Sequence, residues 1–129
     1  MTRYSGSCHC GFVRFSVTAD IDHARVCNCS ICHKRGTLIF RVPDDALTIE
    51  TPLSDLTLYT WGSHTAKDYF CPRCGILPFR RPSAPSRTER AAGVTEFDGW
   101  AINLRCLEGL DPANLPIRHI PGADITPDG

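Results

Sequence analysis

The stretch His64–Phe70, Cys71-Pro72-Arg73-Cys74-Gly75 and Ile76–Arg81 reads as one extended segment entering a C-x-x-C pair and another leaving it. Such a knuckle offers two thiolates at a turn between strands. A tetrahedral metal site wants four ligands, so two more must come from elsewhere in the chain. Working outward, Cys8-His9-Cys10 supplies a C-x-C pair and Cys27-Asn28-Cys29-Ser30-Ile31-Cys32 a C-x-C-x-x-C triplet. Of eight cysteines only Cys106 stands outside these clusters.

Three explanations compete for such clustering. Core cysteines would be scattered. Disulfides need an oxidising compartment, and a C-x-C ring is strained because its Cβ vectors rarely meet the required geometry. Met1–Cys8 has no apolar stretch of the secretory kind, so a reducing, cytoplasmic location and metal ligation are expected. No apolar run approaches the roughly 18 residues of a membrane span. Lys+Arg and Asp+Glu balance at 14 each, which argues against nucleic acid as a partner. With 129 residues, 42% of them hydrophobic, the chain suits a single packed domain.

The periodicity is that of strands. Residues 12–18 put Val13, Phe15 and Val17 on one face and Arg14, Ser16 and Thr18 on the other. Gly36–Val42, Leu47–Glu50, Leu56–Trp61 and Trp100–Cys106 read likewise, with Pro43-Asp44-Asp45 as a turn. No window of 11 or more residues has a helical period. One short helical turn is expected just after Cys29 or Cys32. Residues 82–99 read as a long loop, and long loops in small domains are often functional. The zinc-binding domain is expected over 1–110. The Pro-rich tail 111–129 is expected without regular structure, packed on that domain or frayed.

Seven ligands divide as four plus three. Cys8 and Cys10 complement Cys71 and Cys74 in a closed structural site, leaving Cys27, Cys29 and Cys32 around one ion with an open fourth position. Spacing leaves the swapped partition open. A zinc ion with three thiolates carries a net negative charge and is a poor electrophile. It is better suited to presenting a bound substrate thiolate as a nucleophile than to making hydroxide. His33, Lys34 and Arg35 either offset that charge or form a solvated basic turn.

Ser7-Cys8-His9-Cys10-Gly11, Cys27-Asn28-Cys29-Ser30-Ile31-Cys32 and Phe70-Cys71-Pro72-Arg73-Cys74-Gly75 together resemble the glutathione-dependent formaldehyde-activating enzyme family, which includes the centromere protein V-like proteins. Thr65-Ala66-Lys67, Ile76–Pro82 and Asn103–Leu107 are similar to the latter branch. The resemblance spans about residues 3–110. It implies several coiled antiparallel β-sheets of the Mss4-like kind, little helix, and two zinc ions per chain. Cys8, Cys10, Cys71 and Cys74 then match the structural site, and Cys27, Cys29 and Cys32 the catalytic one. The implied activity is a carbon–sulfur lyase reaction joining glutathione to formaldehyde. The chain departs from related members by inserting Ser83–Gly99, which would cover or re-specify the open site. The expected partner is a small-molecule thiol such as glutathione, with a homodimer left open. The alternative is a non-catalytic, zinc-stabilised binding module or thiol carrier.

Among the remaining residues, Cys106 reads as a core thiol and His9 as an exposed turn residue. His64 and His119 have the chemistry of general bases but no partner in the sequence. Trp61 and Trp100 fit either core or pocket wall. Arg80, Arg81, Arg87 and Arg90 form a basic stretch suited to carboxylates or to a solvated loop.

Overall fold

The computed structural model describes residues 1–122. The part of the expected tail beyond residue 122, with Pro127, lies outside the described residues. The chain forms β1 (Thr2–Ser7), β2 (Arg14–Ala19), β3 (Ala24–Cys27), α1 (Ser30–Arg35), β4 (Ile39–Pro43), β5 (Leu47–Ile49), β6 (Thr57–Tyr59), β7 (Lys67–Phe70), β8 (Phe79–Arg81), α2 (Arg87–Ala91), β9 (Gly99–Asn103) and β10 (Ile117–Ile120). Two sheets result: β1-β2-β5, and β10-β3-β4-β9-β8-β7-β6. The fold is mainly β with two short helices, and all pairings are antiparallel except β10 beside β3. Among the described residues no helix is long and apolar enough to cross a membrane.

Alternation in β2 holds: Val13, Phe15 and Val17 are buried and Arg14 and Thr18 exposed. Ser16 departs from it, buried beneath the Arg3 guanidinium, which donates to its Oγ at 3.3 Å. Gly6 pairs with Phe15 across β1–β2, and a Cβ at Gly6 would lie inside the Phe15 ring. That ring meets Phe79 edge-on at 5.5 Å, and Phe79 meets Trp100 at 5.4 Å. This aromatic seam joins the two sheets, and burying each such ring contributes about 1.5–3 kcal/mol.

Register then sorts the large sheet into two faces. Arg41, Ala101, Arg80 and Asp68 are direct partners in turn across β4, β9, β8 and β7. Ile39 pairs with both Arg25 and Asn103 two residues along. All of these leave the same side of the sheet. The other side carries Phe40, Val42, Trp100, Ile102, Phe79 and Tyr69, and it forms the core. One face is thus apolar and packed, the other rich in arginine.

Several elements differ from the sequence expectation. The strand expected over Trp100–Cys106 ends at Asn103, whose side chain is buried and donates to Leu77 O at 2.9 Å, and Leu104–Cys106 turns as a 3-10 helix. The expected loop 82–99 contains α2, started by a Ser86/Glu89 capping box. From Asp111 on, prolines do not prevent structure. Pro112 starts a 3-10 turn capped by Asp111, and β10 forms because its backbone pairs with β3. The helical turn expected after Cys29 is α1.

Candidate metal centres and the cavity beside them

Two knuckles of like design face one another. Cys8 N donates to Val13 O at 3.1 Å and Gly11 N to Cys8 O at 3.3 Å. Cys71 N donates to Ile76 O and Gly75 N to Cys71 O, both at 2.9 Å. Each turn closes on a glycine at positive φ, 81° at Gly11 and 79° at Gly75, which a side chain would strain. The sulfurs of Cys8, Cys10, Cys71 and Cys74 all lie within 4.8 Å of one another. Cys8 and Cys10 Sγ are 3.7 Å apart, and Cys10 and Cys71 Sγ 3.6 Å. Two thiolates about 2.3 Å from a tetrahedral ion are about 3.8 Å apart, so the cluster fits a zinc-sized site. Backbone N–H groups already serve the sulfurs, Val13 donating to Cys8 at 3.3 Å and Arg73 and Cys74 to Cys71 at 3.4 Å. Arg73 also stacks on Phe12, 4.1 Å from the ring centre, which ties one knuckle to the other.

Thiols this close do not ionise alike. Burial opposes ionisation of Cys74, but N–H groups at Ile76 and Cys10 and the Cys71 thiol hold it down to about 6. Cys10 has a backbone hydrogen bond at Phe12 that favours its thiolate, yet burial and the neighbouring sulfurs push it up to about 11. Cys106, outside the cluster, is pushed up to about 12 by burial and by Cys8 and Cys74, the behaviour of a core thiol.

The second cluster is local. Cys27 ends β3, Cys29 caps α1 and Cys32 lies in its first turn, with the three sulfurs within 4.8 Å of one another. Among the described residues no fourth His, Cys, Asp or Glu joins them. The fold therefore groups four and three, not the swapped partition. Burial opposes ionisation of Cys29, but hydrogen bonds with Cys32 and Cys27 keep it below its ordinary value. Burial, then Cys29, pushes Cys32 up to about 12. At the far end of α1, Arg35 is no solvated turn residue. It binds the buried Asp68, which also accepts from Arg80 Nε, so the helix carrying the triplet is pinned to β7 and β8.

The triplet lines a cavity of about 470 Å³, within the range of small-molecule sites. Arg25, Arg41 and Arg80 enter it from the sheet face, Trp61 from the β6–β7 connection, and Pro85, Glu89, Val94 and Phe97 from segment 83–99. Segment 83–99 is a wall of this cavity, and the Arg41 guanidinium sits 5.2 Å from the Phe97 ring centre. Burial lowers the pKa of Arg25 from its ordinary value. A second hollow, about 690 Å³, touches the four-cysteine cluster only at Cys8.

Of the expected basic stretch, Arg80 alone lines the cavity. Arg81 pairs with Asp44 at 2.6 Å and covers Trp100, and Arg90 Nε donates to Pro85 O. Arg25 and Arg41 were not legible as site residues: Arg25 precedes the Cys27 motif in a stretch not read as a strand, and Arg41 is one polar position of the expected strand Gly36–Val42. Trp100 belongs to the core and donates to Asp44 at 3.0 Å. His64 is held at φ 58° beside Thr60, and His9, His64 and His119 are exposed and outside the triplet cavity. Gly122, just past β10, lines the cavity, and a Cβ there would overlap Cys27 Sγ and stand 3.0 Å from Cys29 Cβ.

The crystal structure of a Rhodobacter sphaeroides protein is similar to this chain, with a TM-score of 0.70 and 30% identity, over 88% of this chain and 99% of the other. The family model described as glutathione-dependent formaldehyde-activating enzyme matches residues 3–99, a stretch that holds both cysteine clusters and the whole of segment 83–99. On that match over three-quarters of its length, this chain belongs to the glutathione-dependent formaldehyde-activating enzyme family.

Proposed function

We propose that each cysteine cluster holds one zinc ion, and that the Cys27/Cys29/Cys32 site binds the thiol of glutathione or a similar small molecule for addition to formaldehyde or a related electrophile. The observation that carries this reading is that the three-ligand cluster opens onto a ligand-sized cavity, while the other cluster is completed by its own four sulfurs. Zinc in the triplet would lower the pKa of a bound thiol, so that its thiolate exists at neutral pH.

The rest is the work of the chain's own residues. Cys27, Cys29 and Cys32 fix where the sulfur sits. The arginine face of the sheet offsets the negative charge of clustered thiolates. Asp68, Arg35 and Arg80 hold α1 in place, and the insert limits water. In the addition, the sulfur lone pair forms the S–C bond and the carbonyl π pair moves to oxygen. That oxygen takes a proton from solvent. Thiol and aldehyde yield a hydroxymethyl thioether with no oxidant or reductant. Cys8, Cys10, Cys71 and Cys74 serve the fold.

Zinc analysis with zinc X-ray absorption tests this. The expected result is two zincs per chain, a mean sulfur coordination that rises toward four only with added glutathione, and glutathione-dependent formaldehyde consumption. Two zincs already saturated by protein ligands, or one zinc and no response, would replace the enzyme with a zinc-stabilised binding module.

A further inference from the structure

The cavity beside the triplet holds a guanidinium that no carboxylate among the described residues pairs with. Arg80 is engaged by Asp68, and Arg41 stacks on Phe97. Arg25 makes no ion pair among the described residues, and its Nε is buried with no hydrogen-bond partner there. Leaving a guanidinium nitrogen in that state is costly unless a ligand completes it. Glu89 is the one carboxylate among the described residues that line the cavity, and its Oε1 is occupied by the Ser86 N–H. With Arg80 held by Asp68, Arg25 and Arg41 face one cavity-lining carboxylate, whose Oε1 is already taken. Arg25 also stands two residues before Cys27 on β3, so both side chains leave the same face of the strand, about 7 Å apart along it.

We propose that Arg25 selects thiols bearing an anionic group a few bonds from the sulfur, a carboxylate or a sulfonate, over neutral and cationic thiols of similar size. The proposal rests on the reading of the triplet as a thiol site. With the sulfur on the triplet, an anion a few bonds away falls within reach of a planar fork whose paired N–H groups match two oxygens. Arg41, on the neighbouring strand and the same face, adds positive charge without a second requirement for geometry. A cationic thiol meets only repulsion there.

The experiment is calorimetric titration of the zinc-loaded protein with mercaptopropionate, mercaptoethanesulfonate, mercaptoethanol and cysteamine, and with glutathione against its diethyl ester. The anionic thiols should bind about tenfold or more tighter than mercaptoethanol, and cysteamine weakest. A preference for mercaptopropionate over the sulfonate identifies the group as a carboxylate, and the reverse a sulfonate. Arg25→Gln should bring anionic and neutral thiols to within about threefold, with mercaptoethanol unchanged, and Arg25→Lys should keep part of the preference. Equal binding of neutral and anionic thiols by the native chain overturns the role of Arg25 and leaves the thiol site standing. Failure of every thiol to bind overturns both. Should Arg25→Gln not fold, Arg25→Lys decides, because a preference left at its native value by loss of the planar fork would assign the selection to Arg41 and overturn the role of Arg25.

Discussion

The Asp68 carboxylate, with no exposed surface, accepts both terminal nitrogens of Arg35 at 3.3 Å. Arg35 closes the helix whose start carries Cys29 and Cys32, while Asp68 belongs to β7, one strand in from the edge of the large sheet. A pair separated by 33 residues in sequence thus sets where the triplet sits. Asp68→Ala leaves two arginines largely buried without their anion and should cost about 3–5 kcal/mol in urea unfolding. Zinc lost from this variant should come from the triplet before the four-cysteine cluster, which X-ray absorption reads as a rising share of four-sulfur coordination. Equal loss from both sites would show that Asp68 supports the fold generally and not α1 in particular.

The two clusters should respond differently to loss of a ligand. Cys71 is fully buried where the Cys8 and Cys71 knuckles meet, so Cys71→Ser should unfold the chain or cost several kcal/mol, because metal-binding energy there is folding energy. Cys29→Ser should leave a folded protein with one zinc fewer and no thiol response, seen by circular dichroism and metal analysis. Collapse of both variants would end the division into structural and reactive sites. Because the ligands bind as thiolates, zinc should leave both sites as pH falls, not as it rises.

Much of this was legible in the cysteines. Ligand counting favours Cys27, Cys29 and Cys32 as one group, with the swapped partition left open until the fold brings the sulfurs together, and the alternation of Val13, Phe15 and Val17 finds a core face. What stayed hidden depends on pairing between distant strands. Arg25 and Arg41 reach the cavity because register places Ile39 opposite Arg25 and Ala101 opposite Arg41, which no local pattern encodes. β10 was hidden because four exposed or half-exposed residues among prolines form a strand only when β3 offers its edge. The capping box of α2, by contrast, was written plainly as Ser86-Arg87-Thr88-Glu89, and a helix of five residues has too little length for its period to be seen.

Phe97 tests segment 83–99 as a wall of the cavity. Its ring faces Arg41 and borders the site, far in sequence from either cysteine cluster. Phe97→Ala should weaken thiol binding by about tenfold through lost cation–π and apolar contact, with zinc content unchanged. Titration calorimetry beside metal analysis separates the two quantities. An unchanged affinity would remove segment 83–99 from ligand recognition.

Gly122 makes the sharpest claim on the triplet, because it lies beyond the stretch that the family model matches. β10 lies parallel to β3, and Asn28 N donates to Ile120 O at 3.2 Å, so the C-terminal segment is led directly across Cys27 and Cys29. Only a residue without a side chain fits: a Cβ would overlap Cys27 Sγ and crowd Cys29 Cβ at 3.0 Å. Gly122→Ala must therefore either lift that segment or turn the Cys27 sulfur away from its partners. Both outcomes loosen a three-ligand site and spare the four-cysteine one. Titration with a chromophoric chelator should show one zinc released at about 10–100-fold lower chelator concentration than in the native chain, and the other unchanged. Pro121→Ala, at an exposed neighbour, serves as the control and should release both ions as the native chain does. If Gly122→Ala also behaves as native, the C-terminal segment only passes by the triplet and contributes nothing to holding its sulfurs in place.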